Sequence, residues 1–126
     1  MKLSDLCRNL DEVSERFGDM ILAVGAPNGA WKPFGLLRLG TSNGEAVACL
    51  SVGAGRHYEH APTVADIRLQ FEDFRLENGD LKVGVMIDDM IHDLLDLNVD
   101  QDVDSNGDEV NVAIIQAYLL KPSFRR

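Results

Sequence analysis

A chain of 126 residues and 13.9 kDa has the size of one domain, and at this length folding buries roughly two-thirds of the extended chain's surface. Its 45 % apolar content suits a globular core, no apolar run approaches the ~20 residues of a membrane span, and Met1-Lys2-Leu3-Ser4-Asp5 turns polar too early for a secretory signal. The net charge of −9 disfavours direct nucleic-acid binding, which needs a concentrated positive patch, and favours a cationic partner. The expectation is a cytoplasmic protein, not bound to a membrane.

In chain order, Leu3, Leu6, Cys7, Leu10, Val13 and Phe17 recur at helical spacing, which predicts a helix over 4–17 with Ser4 as N-cap and Gly18 as the stop. Met20 to Val24 reads as a short strand, and Gly25-Ala26-Pro27-Asn28-Gly29 as a turn. A second strand is expected over about 35–39. Asn43-Gly44 supplies the two left-handed positions of a tight hairpin, and a third strand follows over 45–52. Residues 55–62 form a connector holding Arg56, His57, Tyr58, Glu59 and His60. Thr63 caps a second helix with the stripe Val64, Ile67, Phe71 and Phe74. Leu81, Val83 and Val85 alternate as a half-buried strand does. The segment 91–103 reads as a strand, although Met90-Ile91 and Leu94-Leu95 also fit a short helix. Asn106-Gly107 repeats the hairpin turn, and 110–120 is apolar on both faces, as in a central strand. The tail 121–126 is basic.

Residues 3–54 and 63–117 thus carry one pattern twice. Gly18-Asp19-Met20 answers Gly79-Asp80-Leu81, and Asn43-Gly44 answers Asn106-Gly107. The expected fold is a single α+β domain of two tandem αβββ repeats with pseudo-two-fold symmetry. It has an antiparallel sheet and both helices on one side. The two third strands are expected at the seam between the halves or in a homodimer contact. One such unit has a thin core, and pairing buries what each leaves exposed.

The charge does not follow the repeat. Residues 1–61 hold 7 acids and 6 bases, whereas residues 62–126 hold 14 acids and 6 bases. On a strand, Asp96, Asn98, Asp100 and Asp102 project from one face, with carboxylates about 7 Å apart. That row is a solvated face or a recognition surface for a basic protein or cationic small molecule. Asp102, Asp104, Asn106 and Asp108 match the opening of a calcium loop, but Ala113 stands where the bidentate Glu belongs, and Thr41-Ser42-Asn43-Gly44 makes the matching turn without carboxylates. Arg56, His57, Tyr58 and His60 are the candidate contacts if a cleft lies between the halves, where a small molecule or substrate would sit. Trp31 is an interface anchor or a ring folded over the core. Cys7 and Cys49 read as buried free thiols. No phosphate loop, nucleophile elbow or paired Cys-x-x-Cys occurs, and no cofactor is called for.

Thr63-Val64-Ala65-Asp66-Ile67, followed by an apolar helix and Gly79-Asp80-Leu81-Lys82-Val83, resembles small α+β proteins of phage and of bacterial integron gene cassettes. The resemblance implies an accessory or adaptor protein, with no functional residues to carry over. The leading expectation is a non-enzymatic interaction protein whose acidic C-terminal half engages a basic protein or cationic ligand. A small-molecule cleft near His57, Tyr58 and His60 and a calcium-binding hairpin are the alternatives.

Overall fold

The computed structural model describes residues 1–25, 31–52, 62–87, 89–94, 96–103 and 106–116. The fold is α+β. Its elements are α1 (Leu3–Phe17), β1 (Ile21–Gly25), β2 (Trp31–Ser42), β3 (Glu45–Val52), α2 (Val64–Asn78), β4 (Lys82–Ile87), β5 (Met90–Asp93), β6 (Asp96–Val103) and β7 (Glu109–Gln116). No helix among the described residues is long and apolar enough to cross a membrane.

The seven strands form one sheet in the order β5-β4-β3-β2-β1-β7-β6. The expected all-antiparallel sheet is corrected to a mixed one: β3 runs parallel to β4 and β7 parallel to β1, while the remaining neighbours are antiparallel. The reason is the crossover. Helix α2 carries the chain back to the end of the sheet where β3 began, so β4 enters beside β3 in the same direction. The last strands of the two parts, β3 and β7, therefore make the joins between them, as their two-sided apolar pattern suggests, and the C-terminal part has four strands, β4 to β7, where three are expected. The sheet also curls. Its end strands β5 and β6 are separated in the chain by residues 94 and 95 alone, and three Cα steps reach at most about 11 Å. Leu94, in that gap, is buried in the core.

One core joins both helices to one face of the sheet. Leu3, Leu6, Cys7 and Leu10 of α1 and Val64, Ile67 and Phe71 of α2 pack with Leu22, Leu50, Val85 and Ile115 of the strands. Phe17, counted in the stripe of α1, is instead 48 % exposed at the helix end. β2 is longer than its expected span because Gly35 starts no strand. The register shifts between Phe34 and Leu36, a bulge that lets one strand pair first with β1 and then with β3. The span 91–103 is strand, interrupted where β5 ends and β6 begins.

Ser4 is not the N-cap of α1. The helix starts at Leu3 after Lys2, whose backbone N–H donates to Asp5 Oδ2 (3.1 Å). Ser4 donates instead to Asp80, through its N–H to Oδ1 (2.8 Å) and its hydroxyl to Oδ2 (2.6 Å). Beside it the Leu3 N–H donates to the Leu81 carbonyl (2.9 Å). The same bonds recur 61 positions on. The Val64 N–H donates to the Met20 carbonyl (2.8 Å), and the Ala65 N–H to Asp19 Oδ1 (2.9 Å). Each helix thus begins by docking on the strand entry of the other part, and an aspartate from that part satisfies first-turn donors that have no intrahelical acceptor.

The bonds from Ser4 hold the Asp80 carboxyl below its ordinary value. A carboxyl depressed in the folded state stabilises above the unfolded value, about 3.9, and that contribution fades as pH falls through the folded value. Asp80→Ala is expected to cost about 1 kcal/mol at pH 7, with the gap from the parent narrowing near pH 3. Urea unfolding at both pH values measures it, and a gap independent of pH would rule out the carboxylate as the cause.

Candidate functional site

Among the described residues β6 ends the sheet order and pairs only with β7. Its residues alternate as a half-buried strand should: Leu97 and Val99 pack against the core, while Asp96, Asn98 and Asp100 are exposed on the other face. Asp102 continues the row, half-buried. Each aspartate also turns onto its own strand. Asp96 Oδ1 accepts from the Leu97 N–H (2.8 Å), Asp100 Oδ1 from the Gln101 N–H (2.8 Å) and Asp102 Oδ1 from the Val103 N–H (2.7 Å). Successive amides of a strand point to opposite sides. These three share one parity and each is taken up by the preceding aspartate, which assigns them to the side of β6 away from β7.

Trp31 and Asp102 come together: the indole Nε1–H donates to Asp102 Oδ2 at 2.8 Å. Trp31 belongs to β2 and not to a loop tip, and it packs half-buried over Ala23, Val112 and Ile114. The ring thus lies against the protein's own sheet with part of its surface open. The bond to Asp102 also bears on calcium. Both oxygens of that carboxylate already accept N–H groups, Asp104 lies outside the described residues, and no cluster of metal-ligating side chains occurs among the described ones. The hairpin differs from its expected tight turn. Between Val103 and Glu109 the connection is five residues, 104–108, against the two of Asn43-Gly44. Asn43 and Gly44 both have positive φ (53° and 81°), whereas Asn106 does not and Gly107 alone does (84°).

The charges of the two layers differ. On the helices, Arg68 pairs with Asp11 (2.9 Å) and Glu72 (3.0 Å), and Arg75 with Glu72 (2.8 Å). These guanidinium partners hold the Glu72 carboxyl below its usual range. Among the described residues Asp96 and Asp100 have no such cation. Arg56, His57, Tyr58 and His60 lie outside the described residues, so the structure places none of the connector candidates.

A second feature was not among the sequence-nominated sites. A groove of about 700 Å³ crosses the β3–β4 join on the sheet face opposite the helices. Arg38 of β2 and Asp89 of the β4–β5 turn line it, with Met86, Met90 and Ile91 as apolar wall. Cys49 lies at its base, its thiol raised by burial and only partly offset by the Arg38 charge, so it is a neutral thiol and no activated nucleophile. Gly84 permits the packing there: a Cβ on it would lie 2.5 Å from Ile91 Cγ2. The sequence holds one local signal for it: Asp88-Asp89, between Val83-Val85 and Ile91, are turn residues at the spacing of a two-residue hairpin, and Asp89 has φ 65°.

No protein-family model, no curated protein and no solved structure matches this chain, so the functional reading rests on its own residues.

Proposed function

We propose that this chain is a non-enzymatic binding protein whose acidic C-terminal face engages a basic protein or cationic ligand. The observation that carries the reading is the row of Asp96, Asp100 and Asp102 on the last strand of the sheet order, where the first two form no ion pair with any described residue. Uncompensated carboxylates at strand spacing attract cations, steer their approach and select against anions. The scaffold in this reading is two tandem αβββ repeats related by a pseudo-two-fold axis, with β5 and β6 together in the place of β2. The bonds matched between Leu3 and Val64 and between Asp19 and Asp80 support it, as do the two parallel joins. An accessory role in the cytoplasm fits the two buried free thiols, Cys7 and Cys49, which a reducing compartment preserves.

The test uses a fluorescent octalysine peptide and an octaglutamate control at low salt. The parent protein should bind the first and not the second, with affinity falling as salt rises. Lysine at Asp96 and Asp100 should weaken octalysine binding by about tenfold or more. Unchanged affinity in that variant would remove the acidic row from the function. Asp102 is left in place so that its bond to Trp31 survives.

A further inference from the structure

We propose that the groove on the β3–β4 join binds a small zwitterion with an aliphatic body, of the size of a free amino acid. The two parallel joins make the case, because they have the same register and different side chains. At the β1–β7 join, Ala23 lies beside Ile114, and Gly25 lies opposite Trp31. There Ile114 is 6 % exposed, and the Trp31 ring covers the sheet. At the β3–β4 join, Gly84 lies beside Cys49, and Met86 lies opposite Ile91. Isoleucine has become cysteine, alanine glycine and tryptophan isoleucine. Only Met86, in the place of Gly25, is larger, and it forms a wall. The same backbone arrangement is therefore filled by its own side chains on one side and open on the other. The opening of about 700 Å³ lies within the roughly 300–1,000 Å³ range of small-molecule sites.

The lining states the chemistry. Arg38 and Asp89 share the groove, and neither forms an ion pair with the other or with any other described residue. A guanidinium fork takes a carboxylate in two parallel bonds, and a carboxylate takes an ammonium. A molecule carrying both charges completes both groups, whereas a simple anion leaves itself facing Asp89. Thr41 and Ser42 add hydroxyls at the rim. Met90 is 63 % exposed, and its flexible thioether chain can close over an aliphatic body. Asn43 and Asp89 are the only non-glycine positive-φ residues among those described, and both line the groove. Each sits in a two-residue hairpin turn, so the two tips are held by tight geometry on either side of the opening.

Calorimetric titration of the full chain with L-leucine, L-leucinamide and N-acetyl-L-leucine tests this. Leucine should bind, and removing either charge should weaken binding by about tenfold or more, because a groove charge is then left unanswered. Arg38→Gln and Asp89→Asn should each lose leucine binding. Both are exposed, and asparagine tolerates the left-handed turn. Cys49→Ile should abolish binding by installing the side chain that fills the other join, with retained folding checked by the unfolding midpoint. No binding of leucine at millimolar concentration, or equal binding of all three probes, overturns the proposal. Octalysine binding is unaffected by either result, so this site and the acidic face stand or fall separately.

Discussion

Alanine at Asp96, Asp100 and Asp102 together is expected to make the protein self-associate, while asparagine at the same positions leaves its assembly state as in the parent. The cause lies at the edge of the sheet. β6 is eight residues long and, among the described residues, pairs on one side only, and such an edge is a template for a strand from another molecule. Three of its outward amides, those of Leu97, Gln101 and Val103, are occupied by the preceding aspartate. An incoming strand has to displace those bonds and bring its own charges against a carboxylate row. Alanine removes both obstacles. Asparagine removes the charge but keeps an oxygen that accepts the same N–H. Sedimentation velocity at several concentrations separates the cases. Parent-like behaviour of the alanine variant would mean the edge is protected by something else. Association of both variants would mean that charge alone protects it. The asparagine variant should also lose octalysine binding, which divides the edge role from the recognition role.

The parts of this fold that were legible in the sequence are those set by neighbours in the chain. The stripe Val64, Ile67, Phe71 with Thr63 before it predicts α2, and Asn43-Gly44 predicts a hairpin whose φ values are both positive. Gly18-Asp19 and Gly79-Asp80 were visible as a repeated pair. Their meaning was not, because each aspartate acts on the helix of the other part, 46 and 76 residues away in sequence. Pairing between strands that are not consecutive leaves no local periodicity, so the two-sided apolar pattern points to β3 and β7 as seam strands but not to the parallel direction of the β3–β4 and β1–β7 joins. Gly35 looked like the start of a strand, since a bulge and a boundary use the same residue. The acidic row on β6 was readable because alternation fixes which side chains share a face. The groove was not, because it depends on Cys49 and Ile91, on different strands, standing where Ile114 and Trp31 fill the other join. That comparison exists only once the two joins are seen side by side.

Phe71→Ala is expected to be the most destabilising single truncation in the helix layer. Phe71 is fully buried, and its ring meets Phe34 edge-to-face at 5.8 Å and 76°. Removing it forfeits apolar burial and leaves a cavity that two helices and a curled sheet cannot easily close, a loss of about 3–5 kcal/mol. Domains of this size have only about 5–15 kcal/mol in total, so the variant should unfold at much lower urea. Leu69→Ala, two positions earlier on the same helix and 72 % exposed, should change stability by less than about 0.5 kcal/mol. Phe34 makes the contact more than an ordinary core pair. It sits beside the β2 bulge, where the strand leaves β1 and joins β3, so the ring pair fastens α2 to that transfer. A double-mutant cycle of Phe34→Ala and Phe71→Ala should therefore show coupling of about 0.5–1.5 kcal/mol beyond the separate losses. Strict additivity would mean that the two rings fill the core independently and that the bulge is held by its backbone alone.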